Sequence, residues 1–471
     1  MKWYTLEERM ALTTLMKHKN YSYVPELKTV VKDIELSDFQ TRALAFSLVN
    51  RKTICSLDTG LGKSLIAAGF INVIAQSEFG KTVMIVPSFT VNQMLSKLNK
   101  HLFNLKVVAT DNQAANVEAV VMLDEYAWDV LVVSYEAFSN YRLQQYLLAL
   151  REYISTLIVD ESQLLANLEG ETSLLMQAMC ESMDYVLFLT ATPIRVNVEQ
   201  FINQLCCLNP NIFGKYRKAA SIYFTERDDV GKPVGVKNLM ILLEMIKLNY
   251  ISITRKSLNL KGNYRTKALL VEPTEYDLKV SRSNLFEGIK GRKDSDAVRV
   301  LVNQLNQYRA LGKKGIVYCN RNANKKMLSE VFRENNLRHA ILDGSVSNTR
   351  KKKDIEMERF NNDELDVVIT NLSVGLDLDC DFIIFYEMTF DYKQVLGRGE
   401  RGLKVKDLDI VFIIVNGTVE VSFFYDNVVS HLRVLAQTCD KDIEEFEEML
   451  ERMAPKIRFP DIEEDNDVGA F

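Results

Sequence analysis

The sequence predicts an α/β protein with two parallel β-sheets and short helical extensions at both ends. Three observations predict this fold class. The length of 471 residues exceeds that of one ordinary domain, which holds roughly 100–200 residues. Hydrophobic residues make up 47% and charged residues 26%, which is typical of a folded soluble chain. Short β-branched runs alternate with amphipathic stretches, the pattern of parallel sheets joined by crossover helices.

The candidate strands fall into two groups, which predict two sheets of about five strands each. In the first half of the chain they are 52–57, 82–86, 130–134, 156–159 and 185–189. In the second half they are 315–319, 339–342, 366–370, 382–386 and 410–415. The predicted domains are an N-terminal helical extension (1–35), a first domain (36–214), a helical basic connector (215–310), a second domain (311–418) and a C-terminal helix with an acidic tail (419–471).

The net charge conceals an uneven distribution along the chain. The formal value of -5 argues at first against a nucleic-acid partner. Residues 440–471, however, hold twelve acids and four bases, whereas residues 251–360 carry 24 Lys and Arg against 12 Asp and Glu. The basic stretch is either a path for DNA or a solvated face. The acidic tail either shields that path or is a plain disordered end.

Cysteine usage and the lack of long apolar runs predict a cytoplasmic protein in a reducing compartment. The seven cysteines include no C-x-x-C pair, and most of them lie in apolar runs. The four histidines show no metal-ligand spacing, so no zinc site is expected. The N-terminal residues lack an apolar signal core, and the longest apolar runs fall well short of the ~20 residues that span a bilayer.

A glycine loop between a strand and a helix predicts a phosphate-binding site. The strand KTICSL leads into DTGLGKS and then into the helical pattern LIAAGFINVIA. Backbone N–H groups at such glycines can surround phosphate oxygens, while the lysine reaches the β and γ phosphates and the serine ligates Mg²⁺. Leu57 stands where the full pattern has glycine, so a glycine turn before a core helix is an alternative at this point. The predicted binding residues are Asp58, Thr59, Gly60, Leu61, Gly62, Lys63 and Ser64.

An acidic pair at the end of an apolar strand supplies the groups that nucleotide hydrolysis needs. In LIVDESQ, Asp160 can hold Mg²⁺ through water, and Glu161 can orient the water that attacks the γ phosphate. By itself such a pair often only begins a solvated loop. Together with the glycine loop it predicts an enzyme that uses ATP and Mg²⁺, with Lys63, Asp160 and Glu161 as catalytic residues and Ser64 and Asp160 as metal ligands.

Two arginines after the strand DFIIFYEM complete the predicted catalytic set. In QVLGRGERG, Gln394, Arg398 and Arg401 lie at i, i+4 and i+7, so all three share one face of a helix. A guanidinium group keeps its charge and offers a planar fork of donors, which suits the stabilisation of a transferring phosphoryl group. The alternative is a surface helix with two solvated arginines. If this face meets the first domain, ATP hydrolysis is coupled to domain closure.

The ordered motifs resemble those of the superfamily 2 helicases and translocases, whose motor consists of two tandem RecA-like domains. The resemblance covers roughly residues 36–420. LSDFQTRAL resembles the glutamine motif, which implies that Gln40 reads adenine. LTATP resembles the element that couples ATP to nucleic acid, and IVYCNR, LDG and TNLSVGLDL resemble motifs of the second domain. The implied nucleotide contacts there are Gly375 and Asp377, and the predicted DNA contacts are Pro87, Ser88, Ser134, Tyr135 and Thr370.

Within that superfamily the chain resembles the Swi/Snf-type translocases and related phage DNA-repair helicases. LNPNIFGKY, ITRKSL and NGTVEVSF resemble their connecting and closing segments, although Gln163 stands where the Swi/Snf-type proteins usually have His. The resemblance implies a monomeric, ATP-dependent DNA helicase or translocase. It would act without sequence preference on branched or forked DNA in replication, recombination or repair. The alternatives are an RNA helicase, a duplex translocase without strand separation, and a clamp that uses ATP only as a switch.

Overall fold

A computed structural model of the chain describes most of its residues. These are 5–17, 25–77, 80–165, 171–194, 198–209, 211–213, 217–227, 229, 231, 233–260, 264–282, 289–343, 350–371, 378–388, 407–430, 432–433 and 444–460. The chain forms two compact units. The first comprises Met1–Asn259 and Gln437–Lys441, and the second comprises Leu260–Ala436 and Asp442–Phe471.

The first unit is built around a parallel seven-stranded sheet with the strand order β3-β4-β2-β5-β6-β1-β9. The strands are β1 Lys52–Leu57, β2 Lys81–Val86, β3 Val107–Thr110, β4 Val130–Ser134, β5 Ile154–Asp160, β6 Tyr185–Thr190 and β9 Tyr250–Ile253. The central strands are almost continuously apolar and buried, as expected where helices cover both faces of a parallel sheet. A separate antiparallel pair consists of β7 Thr225–Arg227 and β8 Pro233–Val236.

Helices connect these strands in sequence. They are α1 Leu6–Lys17, α2 Asp38–Asn50, α3 Lys63–Ser77, α4 Val91–His101, α5 Ala114–Val121, α6 Tyr135–Phe138, α7 Tyr141–Ala149, α8 Glu171–Ser182, α9 Val198–Leu208, α10 Arg217–Phe224 and α11 Leu239–Met245. Helix α2 begins after Ser37, whose backbone N–H donates to Gln40 Oε1 at 3.0 Å, which is half of a capping box. A hydrogen bond between Thr13 and Asn50 joins α1 to α2.

A buried tryptophan lies near the start of β2 in the first unit. Trp128 is fully buried, and its indole Nε1 donates to the Tyr146 hydroxyl at 2.8 Å. The ammonium of Lys81 lies over the indole ring, 4.6 Å from its centroid. Such a cation–π contact compensates part of the cost of partly burying the lysine.

The second unit is built around a parallel six-stranded sheet with the order β10-β15-β14-β11-β13-β12. The strands are β10 Tyr264–Val271, β11 Gly315–Tyr318, β12 His339–Leu342, β13 Val367–Thr370, β14 Phe382–Phe385 and β15 Leu408–Val415. The helices are α12 Glu275–Arg282, α13 Asp296–Ala310, α14 Asn322–Glu334, α15 Arg350–Asn361 and two further helices, Val419–Phe423 and Glu444–Met453. Gly315 is required where β11 meets β14, because a Cβ there would lie 2.4 Å from Phe382.

A buried ion pair links the start of the second unit to its sheet. The Lys290 ammonium is fully buried and lies 2.9 Å from Glu420 Oε2. It also donates to the carbonyl oxygens of Tyr386 and Ile413, both at 2.5 Å. Burial raises the pKa of Glu420, and the nearby charge of Lys290 opposes that shift. The N–H groups of the Lys290 ammonium therefore donate to acceptors inside the second unit.

All ten predicted strands are present, but the sheets are larger than expected. The structure adds β3 and β9 to the first sheet and β10 to the second, giving seven and six strands instead of about five each. The predicted helical connector 215–310 differs most from the structure. It contains the β7–β8 pair, and its strands β9 and β10 belong to the two sheets. The unit boundary at Asn259 and Leu260 therefore falls inside this segment.

Candidate functional site

The strand order of the first unit brings its three chemical motifs together. The glycine loop follows β1, the acidic pair ends β5, and Thr190 ends β6, which lies between β5 and β1. All three strands are parallel, so their carboxyl ends meet at one edge of the sheet, where ligands bind in open α/β folds. Lys63 and Asp160, about a hundred residues apart in sequence, are close enough for the lysine charge to oppose the rise that burial causes in the pKa of that carboxyl.

The glycine loop adopts the conformation that the motif predicts. Gly60 and Gly62 have φ values of 79° and 87°, in the left-handed region that side chains disfavour. Helix α3 begins at Lys63 and has no acidic residue in its first turn, so its N-terminus favours an anion. Lys63 and Ser64 are partly exposed at this helix start. Lys63 Nζ lies 3.5 Å from the Leu57 carbonyl oxygen.

Gln40 contacts the glycine loop through its side-chain amide. Its Nε2 donates to the Leu61 carbonyl oxygen at 3.0 Å, and its Oε1 accepts from the Ser37 backbone N–H at 3.0 Å. A carboxamide still has one N–H and one lone pair after these two bonds. Those are the complements of adenine N7 and N6. The geometry therefore fits the predicted adenine contact and ties it mechanically to the phosphate loop.

The acidic pair occupies a strained, half-buried turn. Burial, reinforced by the charge of Glu161, raises the pKa of Asp160 to about 7, while Lys63 opposes the shift. Glu161 has left-handed backbone angles, φ 53° and ψ 49°. Such a conformation is unfavourable for a residue with a Cβ and persists where surrounding contacts hold it, often at functional sites. The Tyr135 hydroxyl supplies two of those contacts, donating to the carbonyl oxygens of Asp160 at 2.9 Å and Glu161 at 3.2 Å.

Gln163 joins the acidic pair to the threonines at the end of β6. Its Nε2 donates to Glu161 Oε2 at 2.7 Å, and its Oε1 accepts from the Thr190 hydroxyl at 2.6 Å. Thr190 Oγ1 in turn accepts from the Thr192 backbone N–H at 3.0 Å. Gln163 and Thr190 are fully buried. The chain of bonds from Glu161 to Thr192 is the physical connection between the DESQ and LTATP motifs.

A residue outside the predicted set holds the start of the glycine loop. Asp58 Oδ2 accepts from the Arg255 backbone N–H at 2.7 Å, and the Asp58 N–H donates to the Ile253 carbonyl oxygen at 3.2 Å. Strand β9 pairs with β1, which places Arg255 there with only 4% of its surface exposed. The sequence places Arg255 in a basic connector. The structure instead assigns it to the nucleotide-binding unit.

The predicted DNA contacts of the first unit differ in accessibility. Ser88 is exposed at the turn after β2, whereas Pro87 is buried. Ser134 has no exposed surface, and its hydroxyl caps α6 by accepting from the Ala137 N–H. Tyr135 is committed to the acidic turn. Of these four predicted and described residues, only Ser88 has an exposed hydroxyl, and the buried Ser134 serves as a helix cap.

The carboxyl edge of the second sheet carries a network centred on Glu387. Glu387 Oε2 accepts from the backbone N–H groups of Asn320 at 2.5 Å and Arg321 at 3.0 Å. Its Oε1 accepts from Asn324 Nδ2 at 2.5 Å. This carboxylate caps α14 and fixes the IVYCNR turn. Sequence reasoning missed Glu387, whose only signal is its position directly after an apolar strand.

The remaining predicted residues of the second unit are placed only in part. Thr370 ends β13 and is 1% exposed, so its hydroxyl does not face a DNA path here. Lys325 and Asp343 form a buried pair at 2.9 Å that holds the LDG motif against α14. The other predicted residues, Gly375, Asp377, Gln394, Arg398 and Arg401, lie outside the described residues.

The structure corrects part of the predicted basic path. The sequence counts Lys290 and Arg255 among its cations, but both are buried and held by backbone and ionic contacts within their units. Arg292 is exposed and pairs with Asp294 at 3.0 Å, and Lys293 pairs with Glu334. The side chains of 350–353 lie outside the described residues. Sequence counting overestimates the available positive surface, because buried lysines and ion pairs contribute little to it.

The residues present fit ATP and Mg²⁺. A Cβ at Gly62 would lie 2.3 Å from Gln40 Nε2, so this close approach, needed to hold the loop open for phosphate, requires glycine. Lys63 and Ser64 at the start of α3 would hold the phosphates and the ion, and Asp160 would hold the ion's water shell. When bound, Mg²⁺ would neutralise phosphate charge and orient it for attack.

The described residues contain neither a membrane-spanning helix nor a metal cluster of acids, histidines and cysteines. Across the ranges that the structure covers, no helix is long and apolar enough to cross a membrane. Among those same side chains, no group of three or more His, Cys, Asp or Glu residues is arranged to hold a metal ion. The metal site considered above is of a different kind, in which a serine and a carboxylate share the ion with phosphate and water.

Comparison with models of known protein families shows which family the sequence matches. Residues 11–287, more than half of the chain, match the SNF2-related domain. The chain belongs to the SNF2-related family. Residues 296–404 of this SNF2-related protein match the helicase conserved C-terminal domain. The boundary between the two matches lies in the second structural unit, because the first match extends past β10.

Individual relatives resemble only part of this SNF2-related chain. The ATP-dependent helicase fft2 of Schizosaccharomyces pombe is 24% identical over 194 residues, 40% of this chain and 15% of that protein. The RNA polymerase-associated protein RapA of Haemophilus influenzae is 26% identical over 213 residues, 43% of this chain and 22% of that protein. The chain thus spans less than a quarter of the length of either relative. The Sulfolobus solfataricus SWI2/SNF2 ATPase core in complex with dsDNA covers 88% of this chain and 99% of its own, with a TM-score of 0.43 and 14% identity.

Proposed function

We propose that this protein is an ATP-dependent DNA helicase or translocase that moves on and remodels branched or forked DNA. The observation that carries the proposal is the bonded series from Glu161 through Gln163 and Thr190 to Thr192, beside a preformed phosphate loop. This series joins the group that would orient the attacking water to the motif expected to sense nucleic acid. Membership of the SNF2-related family and the match to a helicase C-terminal domain support the same activity.

The residues of the first unit divide the chemistry among them. Lys63 and the loop N–H groups would bind the phosphates, Gln40 would contact adenine, Ser64 would ligate Mg²⁺, and Asp160 would hold the ion through water. Glu161 accepts the proton of the attacking water, a role that its bond to Gln163 would position it for. Arg398 and Arg401 would stabilise charge on the transferring phosphoryl group, with Gly375 and Asp377 as further nucleotide contacts.

The nucleic-acid partner is DNA, contacted through its backbone and without base recognition. Exposed Ser88 supplies a hydroxyl for phosphate contact, and sequence-independent affinity would come mostly from such contacts. The protein would act as a cytoplasmic monomer in replication, recombination or repair in a bacterial or phage-infected cell. Preference for forks or branches is the most specific part of the proposal, and a panel of substrates tests it directly.

The decisive experiment compares ATP turnover by the intact protein and by Lys63→Ala, with and without DNA. We expect Lys63→Ala to abolish DNA-stimulated hydrolysis while the protein stays folded; undiminished turnover would refute the assignment. Arg401→Ala should reduce turnover much more than ATP-analogue binding. An equal loss in both would contradict its role in the transition state.

A substrate panel separates the proposal from its rivals. ATPase and unwinding assays would use forks, four-way junctions, flaps, linear duplexes, single strands and RNA. Stimulation by RNA alone would identify an RNA helicase. Stimulation by linear duplex without strand separation would identify a duplex translocase. Absence of turnover at saturating DNA would identify a nucleotide-switched clamp.

A further inference from the structure

The second unit contains a cavity of about 560 Å³ at the opposite edge of its sheet from the motif residues. It lies where β10 and β15 begin, beside α13 and the helix Glu444–Met453. Lys313, just before β11, and Asp409, the second residue of β15, line it. The motif residues Asn320, Thr370 and Glu387 follow the carboxyl ends of their strands instead. The cavity is therefore separate from the motor residues of this unit.

Six of the twelve residues that line the cavity are charged, and cations outnumber acids. The cations are Arg265, Lys267, Lys313 and Arg452, and the acids are Asp409 and Glu448. Asp409 uses both of its oxygens, accepting from Arg265 Nε at 2.6 Å and from Lys313 Nζ at 2.7 Å. One carboxylate thus neutralises two of the cations only in part.

The other two cations have no carboxylate partner within the described part of the chain. Lys267 Nζ donates to the neutral amide oxygen of Gln304 at 2.7 Å. Arg452 Nε donates to the backbone carbonyl oxygen of Glu448, one turn earlier in its own helix, at 3.2 Å. Lys267 is exposed overall, but desolvation of its ammonium against the cavity wall lowers its pKa, and the charge of Asp409 only partly opposes that effect. A bound anion would stabilise this ammonium.

The cavity offers donors in excess of acceptors. Lys267 keeps two N–H groups beyond its bond to Gln304, and the guanidinium groups of Arg265 and Arg452 each keep their terminal nitrogens. A ligand group that only accepts hydrogen bonds and carries negative charge suits this surface. Phosphate has several acceptor oxygens, so it can accept hydrogen bonds from an ammonium and from planar guanidinium groups at the same time.

We propose that this cavity binds the phosphate group of a phosphorylated ligand. Lys267 and Arg452 are the principal contacts, and Arg265 contributes its free terminal nitrogens. A volume of about 560 Å³ exceeds that of a lone phosphate and falls within the range of small-molecule sites. The half-buried Tyr264 and the exposed Leu311 provide walls for the organic part of the ligand. This site is independent of the ATP site in the first unit.

The test measures binding of pyrophosphate to the full-length chain by calorimetry. Lys63→Ala serves as the background, because it removes the main side-chain contact of the first phosphate loop. In that background we expect Lys267→Met and Arg452→Gln each to weaken binding about tenfold or more, as loss of a charge-assisted hydrogen bond predicts. Lys326→Met is the matched control. It removes one exposed lysine of the same unit outside the cavity and should leave binding unchanged.

Two outcomes would overturn the proposal. One is no binding of millimolar pyrophosphate to the Lys63→Ala protein. The other is binding that neither Lys267→Met nor Arg452→Gln weakens relative to Lys326→Met. Arg452 is exposed, so its variant keeps the test valid even if Lys267→Met unfolds.

Competition identifies the source of the phosphate. A short DNA duplex that displaces pyrophosphate, and whose own affinity falls more with Lys267→Met than with Lys326→Met, would place the DNA backbone in the cavity. Displacement by a nucleoside diphosphate or a sugar phosphate but not by the duplex would identify a small phosphate ester.

Discussion

The buried side-chain amide of Gln163 connects the DESQ and LTATP motifs of the first unit through hydrogen bonds. Glutamine can bond a carboxylate with its NH₂ group and a hydroxyl with its oxygen, so one side chain serves both neighbours. Histidine, usual at this position in Swi/Snf-type proteins, can do the same with its two ring nitrogens when it is neutral. Glutamine in place of the usual histidine therefore keeps the hydrogen bonds that join the two motifs.

Replacing Gln163 tests that connection. Gln163→Ala leaves Glu161 and Thr190 without their shared partner, at a cost of about 1–3 kcal/mol for buried polar groups. We expect the stimulation of ATP hydrolysis by DNA to fall about tenfold or more, while ATP-analogue binding stays within a few-fold. Gln163→His is the control and should retain stimulation. Unchanged stimulation in Gln163→Ala would show that the bonded series does not couple the motifs.

The buried pair of Lys290 and Glu420 makes a second prediction at this scale. Lys290→Met strands a carboxylate in the core, which should destabilise the second sheet by about 3–5 kcal/mol. Adding Glu420→Gln removes that charge and keeps an acceptor for the Val415 N–H, so it should restore much of the loss.

Hydrogen exchange of peptides that cover β14 and β15 measures this effect locally. Protection should drop in Lys290→Met and recover in the double variant. Equal exchange in the wild-type and single-variant proteins would show that the pair contributes little to stability.

Individual residues are predictable where a motif fixes backbone geometry. Gly60, Gly62 and Lys63 lie as the sequence predicts, because the loop conformation depends on local chemistry. The sequence does not show that Ser134 and Lys290 are buried, because burial depends on packing that a single sequence does not reveal. The role of Glu387 could not be predicted for the same reason. In a sequence, an acidic residue after a strand is typical of a solvated loop, and only the structure shows which N–H groups donate to its carboxylate.

At the scale of elements, the glycine loop and α2 function as one assembly. Gly62→Ala should displace Gln40, because the new Cβ would lie 2.3 Å from its Nε2. We expect ATP-analogue binding to fall more than tenfold. Gly312→Ala is the matched control, since Gly312 also has positive φ but a Cβ there would have no atom within 4 Å. It should reduce stability by about 1 kcal/mol and leave binding intact.

Equal effects of the two glycine substitutions on nucleotide binding would contradict this account of the loop. Such a result would mean that backbone strain alone, and not the close approach of Gln40, determines the loss.

Strand prediction succeeds in the middle of each sheet but misses three of the four edge strands, β3, β9 and β10; the edge strand β12 is predicted. Central strands such as β6 are continuous apolar runs that burial on both faces requires. Strand β10 carries Arg265 and Lys267 on one face, as edge strands commonly do, and these charges favour its assignment to a basic connector. Strands β3 and β9 have only four residues each. Short edge strands give too little pattern to distinguish from loops.

At the scale of the whole molecule, the acidic terminal segment governs the net charge. Residues 461–471 carry five Asp and Glu and no Lys or Arg, so deleting them changes the formal net charge from -5 to 0. We expect the deletion to strengthen DNA binding about two- to tenfold at low salt. The difference should shrink at physiological salt, where the Debye length is about 8 Å. Fluorescence anisotropy with a labelled duplex would measure it.

A full-length variant with these acids changed to Asn and Gln separates charge from length. It should match the deletion if electrostatic repulsion is the cause. If both proteins bind DNA at low salt as tightly as the wild type does, the acidic segment has no effect on DNA binding.

The buried indole of Trp128 has a spectroscopic consequence. The chain has two tryptophans: Trp128 is buried in the first unit, and Trp3 lies outside the described residues. Emission from Trp128, measured in a Trp3→Phe variant, will therefore follow unfolding of the nucleotide-binding unit, while the second unit contributes only tyrosine signal. Denaturation monitored by fluorescence and by circular dichroism on the same intact sample can thus separate the transitions of the two units without labelling.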